Sequence, residues 1–196
     1  MDEAKPKAGR DRKLVDNVLA GRTNAFAGLV EQHQQLVWHL VYRMVQHPDD
    51  CQELCQEVFL RVHQNLKQFR FESTLATWIG RIAYNICVRH LQRKRLPLLD
   101  TDEHGTPPAD RVVDDFDLAA ACADKELLAK LHIALEMLAP VPRTILTLYY
   151  LEELSVSEVA SIIDSPEGTV KNALFRARAQ LRQKFETYLE TSDDKA

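Results

Sequence analysis

Residues 154–182, LSVSEVASIIDSPEGTVKNALFRARAQLR, hold two helix-capping signals separated by a break, a pattern that few folds can accommodate. Ser155 followed three residues later by Glu158 has the spacing of a capping box, and Val156, Val159, Ala160 and Ile163 form the apolar face of the helix it opens. Asp164 and Ser165 break that helix. Ser165 then caps a second one whose first residue, Pro166, loses nothing by lacking an N–H there. At about 100° per residue, Val170, Leu174, Ala177, Leu181 and Phe185 share one side of the second helix. Asn172, Phe175 and Arg176 fall opposite, with Lys171, Arg178 and Arg182 on a flank. Lys171 to Lys184 contains basic residues and no acid. This is a helix-turn-helix whose second helix is suited to a DNA major groove: Arg pairs with guanine, Asn with adenine, and Phe175 is placed to touch a thymine methyl.

The rest of the chain reads as helix. There are only six glycines in 196 residues and few β-branched runs, which argues against a sheet. A short helix is expected over residues 14–20, ending at Gly21. A second spans about 24–46, with Phe26, Leu29, Val30, Leu36, Val37, Leu40, Val41 and Met44 inward, stopped by His47 and Pro48. Asp49 or Asp50 caps a third that runs to about Leu66. Ser73 or Thr74 caps a fourth that runs to about Arg95, with Leu75, Ile79, Ile82 and Ile86 inward. Residues 96–117, with Pro97, Gly105, Pro107 and Pro108 and no helical period, form a linker. A helix over 118–138 and another over 141–151 precede the helix-turn-helix. The expectation is therefore an all-α chain of two small domains, 14–95 and 118–187, joined by an acidic flexible linker, with a disordered tail over 1–13 and another over 188–196.

The formal net charge of -4 conceals strong segregation. Residues 61–95 carry a net of about seven positive charges, and residues 100–126 about seven negative ones. Two basic modules thus flank an acidic spacer. In the first, Phe69, Phe71, Trp78 and Tyr84 alternate with Arg70, Arg81 and Arg89, a composition suited to stacking unpaired bases while cations hold the backbone. Trp78 and Phe69 are assigned partly to the core, which leaves Phe71, Arg81, Asn85 and Arg89 as the better strand contacts. The linker cannot set a distance between two DNA sites, so a third partner must hold them in register.

Other chemistry finds little footing. Cys51 and Cys55 follow the same seam as Val58, Val62 and Leu66 and read as core, and neither they, Cys87, Cys122 nor the scattered histidines complete a metal site. No phosphate-cradling loop, nucleophile elbow or zinc-protease pair is present, so no enzyme, cofactor or metal is expected. The opening residues lack the apolar core of a signal peptide and no later run approaches a membrane span, which with reduced thiols points to the cytoplasm.

Three stretches, DCQELCQEVFLRV from Asp50, FRFESTLATWIGRIAYNICVRHLQRKR from Phe69 and LAPVPRTILTLYYLEELSVSEVASIIDSPEGTVKNALFRAR from Leu138, resemble the extracytoplasmic-function (ECF) sigma factors of bacterial RNA polymerase. The resemblance implies a factor that binds core polymerase, recognises -10 and -35 promoter elements and starts transcription of a stress or envelope regulon. It implies that Glu53, Leu54, Gln56, Glu57 and Phe59 dock on the clamp helices of the largest subunit, and that residues 142–151 meet the flap of the second largest. It implies capture of the melted -10 strand by Phe71, Ser73, Trp78, Arg81, Asn85 and Arg89, and reading of -35 duplex by Lys171, Asn172, Phe175, Arg176, Arg178 and Arg182. The linker would thread the polymerase interior. It also implies an anti-sigma partner, soluble or holding the factor at the inner membrane. Ala173 stands where relatives often have Arg, Phe71 where Gly is common and Tyr84 where Arg is common, so the preferred promoter departs from the family's usual one. Two rival readings make distinct demands. A helix-turn-helix regulator acting beside the housekeeping sigma factor would bind duplex tightly alone, and a helical adaptor would leave the charge segregation unexplained.

Overall fold

The computed structural model describes residues 4–94, 96, 98 and 125–193, and these are helical throughout, with no strand among them. Helix α1 is Ala4–Leu19, α2 Ala25–Val45, α3 Pro48–Asn65 and α4 Leu75–Arg93; α5 is Lys125–Glu136, α6 Pro140–Leu146, α7 Val156–Ile163 and α8 Glu167–Asp193. A single 3-10 turn, Leu66–Gln68, follows α3, and a π turn, Thr147–Leu151, follows α6. Apart from Leu96 and Leu98, the acidic spacer lies outside the described residues, as do residues 118–124 of the helix expected after it.

Local signals account for most boundaries. Gly21 takes φ 67 after α1, a left-handed conformation that costs a residue without Cβ little. The Thr74 hydroxyl accepts from the Thr77 N–H at 3.1 Å and so caps α4. The capping box of α7 forms as expected, with the Glu158 carboxylate accepting from the Ser155 N–H at 2.9 Å. Three expectations need correcting. The cap of α3 is His47, with Pro48 in the first turn, so Asp49 and Asp50 sit inside the helix where their charge complements the N-terminal dipole. Helix α8 continues to Asp193, through the stretch expected to be a tail.

Nor is the N-terminal segment a free tail. Helix α1 starts at Ala4, and Asp11, only 7% exposed, accepts the Leu75 N–H at 2.7 Å. One orphan donor at the start of α4 is thereby satisfied from the far end of the sequence.

Helices α2, α3 and α4 pack on one another with α1 against α2, while α8 packs against α5, α6 and α7. The expected seam of Cys51, Val58, Val62 and Leu66 is buried, as is Cys87, and burial pushes the Cys55 thiol up to about 12, so these cysteines behave as small apolar groups. The two helical groups do not hang independently from the spacer. They share one continuous core, with α2 against α6 and α4 against α7.

The join has a polar centre. Arg143, 2% exposed, donates from Nε to the Arg43 carbonyl at 2.5 Å and from a terminal nitrogen to the Glu136 carbonyl at 2.8 Å. Arg43 lies in the last turn of α2, and Glu136 is the last residue of α5. Helix C-termini leave carbonyls without intrahelical partners and carry partial negative charge, so one guanidinium serves the ends of two helices from two domains. Around it, Arg43 contacts the His132 ring at 3.1 Å, and His39 pairs with Glu152.

Replacing Arg143 by Met should therefore cost about 2–3 kcal/mol in urea unfolding, because both carbonyls stay buried and lose a charged donor. Acid should also destabilise the chain. Burial lowers the affinity of His33 and His132 for protons, with Arg43 adding to the effect at His132. Both therefore titrate below the ordinary 6.5 when folded, and the unfolded chain binds the extra protons. Stability should fall as pH drops below that value, and the His33→Gln, His132→Gln pair should flatten the slope measured by unfolding at several pH values.

Candidate nucleic-acid interface

Helix α8 begins after the Ser165–Pro166 break and buries Val170, Leu174, Ala177, Leu181 and Phe185, as the wheel expects. Lys171, Asn172 and Arg176 are exposed on the remaining arc. Arg182 is exposed and ion-paired with Glu186 at 2.9 Å, while Arg178 is half-buried and donates to the Tyr150 hydroxyl at 3.4 Å. Phe175 is the misplaced residue. Expected to face a groove, it is only 9% exposed. The wheel assumed a stripe packed from one direction, but α8 receives α5, α6 and α7 together, and a helix held from several directions buries a wider arc. Phe175 is thus removed from the surface that Lys171, Asn172 and Arg176 present.

On α4 the N-terminal loop carries the unusual backbone. Phe71 has φ 59, a conformation that Cβ sterics penalise by roughly 1–2 kcal/mol, and it is held there by Phe69 at 4.7 Å between ring centres and by the Arg12 guanidinium at 4.8 Å. Trp78 leans on Phe69 with ring centres 5.3 Å apart and stays half-buried, as expected. Ser73 is exposed beside the capping Thr74. Arg81, Asn85 and Arg89 recur every four residues on an exposed face. Arg81 has an addition that periodicity could not supply: its guanidinium meets the Asp164 carboxylate at 2.6 Å, across the two domains. Arg12 and Asp11 were also missed, since nothing in a charged N-terminal segment signals what it will touch.

The α3 surface divides. Glu53 and Gln56 are exposed, Glu57 and Phe59 half-buried, but Leu54 is 5% exposed and belongs to the core, so it leaves the docking set. The correction has a simple cause, since Leu54 lies one turn from Cys51 and Val58 on the same seam. Between α2 and α3 an open groove of about 810 Å³ is lined by Phe26, Val30, Trp38, Phe59 and Leu60, with Gln56 at its edge. Trp38 and Leu60 are 43% and 57% exposed, a large apolar area for a surface that no described residue covers.

Two basic helix faces on an all-α scaffold, with an apolar groove apart from both, are the features looked for in a protein that binds nucleic acid and a protein partner. The comparisons carry this to a family. Residues 29–96 match the family Sigma-70 region 2, and residues 128–181 match Sigma-70, region 4. The chain is 30% identical over 179 residues to the ECF RNA polymerase sigma factor SigW of Bacillus subtilis, covering 89% of this chain and 96% of that one. It is 32% identical over 188 residues to the ECF RNA polymerase sigma-E factor of Escherichia coli K12, covering 90% and 94%. Among solved structures, CnrH in complex with the cytosolic domain of CnrY matches with TM-score 0.64 and 22% identity, covering 90% of this chain and 97% of that one. The sigma factor RpoE in complex with the anti-sigma factor NepR from Bartonella quintana matches at 0.61 and 19%, covering 84% and 98%; both share the fold.

The chain belongs to the ECF sigma factors of RNA polymerase. It is a transcription initiation factor that engages core polymerase and promoter DNA, in a family whose members are not enzymes. No described helix is long and apolar enough to cross a membrane.

Burial gives Phe175 a test apart from its neighbours. Phe175→Ala should lower stability by about 3–4 kcal/mol and leave the promoter sequence preference of the folded fraction unchanged. Unfolding curves beside a promoter-variant transcription series would check both halves.

Proposed function

We propose that α8 reads the -35 duplex through Lys171, Asn172 and Arg176, with Arg178 and Arg182 on the phosphates, and that α4 and its preceding loop hold the melted -10 strand. In that second site Arg81, Asn85 and Arg89 follow the strand backbone and base edges, and Phe71, Ser73 and Trp78 border the entry loop. The observation that carries the reading is the exposed arc of Lys171, Asn172 and Arg176 on a helix whose opposite side packs on α5, α6 and α7. Arg176 on such a face has the reach for a bidentate contact with guanine, and Asn172 for adenine. Ala173, half-buried beside them, adds no cation to this arc, so the -35 preference rests on its neighbours.

The groove of Trp38, Gln56, Phe59 and Leu60 is the proposed seat for the polymerase clamp helices, where apolar burial supplies affinity, and Glu53 and Glu57 on the same helix α3 are proposed to supply register. Tyr150 and Leu151, 40% and 54% exposed after α6, are the proposed flap contact. An anti-sigma factor is the proposed regulator, since the similar CnrH and RpoE structures are complexes of that kind. The chain then serves a stress or envelope regulon from the cytoplasm, and any attachment to the inner membrane is the partner's property.

Run-off transcription from a genomic promoter library, with core polymerase plus this chain, tests the reading. Chain-dependent initiation at a defined set of promoters is the expected result. Arg176→Ala should then reduce discrimination at one -35 position by about 1–3 kcal/mol. An equal loss on every promoter would make Arg176 a phosphate contact, and specific duplex binding by the chain without chain-dependent initiation would reject the polymerase role for these faces.

A further inference from the structure

Helix α1 touches the loop between α3 and α4 at its start, its middle and its end. It packs on the 3-10 turn Leu66–Gln68 where the loop begins. Halfway along, the Arg12 guanidinium lies over the Phe71 ring, and where the loop passes into α4 the Asp11 carboxylate accepts the Leu75 N–H at 2.7 Å. Thr74 serves the Thr77 N–H, so the Leu75 donor is left to a residue 64 positions away. Asp11 is 7% exposed and stands at the positive end of α4, where little water weakens the contact.

Phe71 is the loop residue that depends on outside support. At φ 59 it occupies the left-handed region, which glycine enters freely and a residue with Cβ does not. On one side its ring meets Phe69, 4.7 Å away between centres and fixed in the core at 7% exposed. Against it also stands the Arg12 guanidinium, 4.8 Å from the ring centre, although Arg12 itself lies on the surface. A cation over an aromatic face is attracted by the ring's quadrupole, so Arg12 and Phe71 hold each other in place. A glycine at this position would keep the same φ without either neighbour.

We propose that Asp11 and Arg12 are positioning residues for the strand loop: α1 braces residues 66–75 in the conformation that admits the melted -10 strand, and so sets how well bases are told apart there. The inference rests on the proposed role of α4 and its preceding loop in holding that strand. Asp11 anchors the end of the loop, and Arg12 keeps the Phe71 ring at its positive φ. The arc of Lys171, Asn172 and Arg176 and the groove at Trp38 and Leu60 lie on other helices. Loosening the brace therefore acts on strand capture and leaves -35 reading as it was.

Full-length variants with core polymerase test this on one promoter recovered from the run-off library and on copies carrying each base at each -10 position. Permanganate reactivity of unpaired thymines reads open-complex formation, and circular dichroism melting confirms that each variant is folded. Arg12→Ala should slow opening roughly two- to fivefold, the weight of an exposed cation–π contact, and narrow the rate ratios between -10 bases while -35 ratios stay unchanged. Asp11→Ala should slow it roughly tenfold, as for a lost hydrogen bond to a charged group, and Asp11→Asn, which keeps an acceptor for the Leu75 N–H, should regain most of the rate. Whatever Phe71→Gly does alone, adding Arg12→Ala to it should change nothing further, because the ring is gone. An equal loss from Arg12→Ala with and without the ring makes Arg12 a direct DNA contact and overturns the proposal. Unchanged -10 ratios in both Arg12→Ala and Asp11→Ala overturn it as well. The strand reading itself is tested by combining Arg81→Ala, Asn85→Ala and Arg89→Ala. If that variant loses open complexes while Arg12→Ala leaves the -10 ratios unchanged, the brace alone is wrong. If that variant opens promoters normally, the strand reading of α4 fails and the brace with it.

Discussion

The structure turns on a buried cation seated at the join of the two domains. Arg143 donates to the carbonyls of Arg43 and Glu136, where α2 and α5 run out of intrahelical partners. Desolvating a guanidinium is expensive, and what makes it tolerable is that two helix dipoles converge on the same site with their negative ends. Because one helix comes from each domain, the same arrangement sets the angle between them. The seating of α7 on α4, the burial of Ile162 and the Arg81–Asp164 pair all lie downstream of that angle.

What could be read in the sequence was what neighbouring residues decide among themselves. The capping box of Ser155 and Glu158, the break before α8 and most of the inward stripes of α2 and α4 are local matters and form as the spacing says, whereas Phe26 and Val30, expected inward, line the open groove and Ile82 is only partly buried. Phe175 and Leu54 went wrong for a related reason. A wheel assigns a residue to a side of its own helix, whereas burial depends on how many other helices arrive, and α8 takes three. Leu54 was drawn from its seam by the motif around it. The link between Arg143 and Arg43, the reach of Asp11 to Leu75 and the seat of Ile162 on Gly80 each join residues far apart in sequence. No periodicity announces such contacts, and the charged character of residues 1–13 argued the other way.

The same division explains which parts of the candidate site were legible. Exposed cations on a regular helix, such as Arg176 or the series Arg81, Asn85, Arg89, are placed by their own periodicity. Their present partners are not. Charge segregation along the chain points to two nucleic-acid faces, and the fold adds that both belong to one packed body with an apolar groove between α2 and α3.

The π turn at Thr147–Leu151 has a consequence for how such a factor diversifies. Its closing bond, from the Glu152 N–H to the Thr147 carbonyl at 3.1 Å, spans one residue more than an α-helical bond. A residue taken out of this turn would bring the backbone back to α-helical register and rotate everything after it by about 100°, with a shift of about 1.5 Å. The helix-turn-helix follows immediately, so the bearing of α8 is indexed by the length of a five-residue segment. Insertions and deletions there would act as a coarse adjustment of aim, while substitutions on the exposed arc of α8 would act as the fine one.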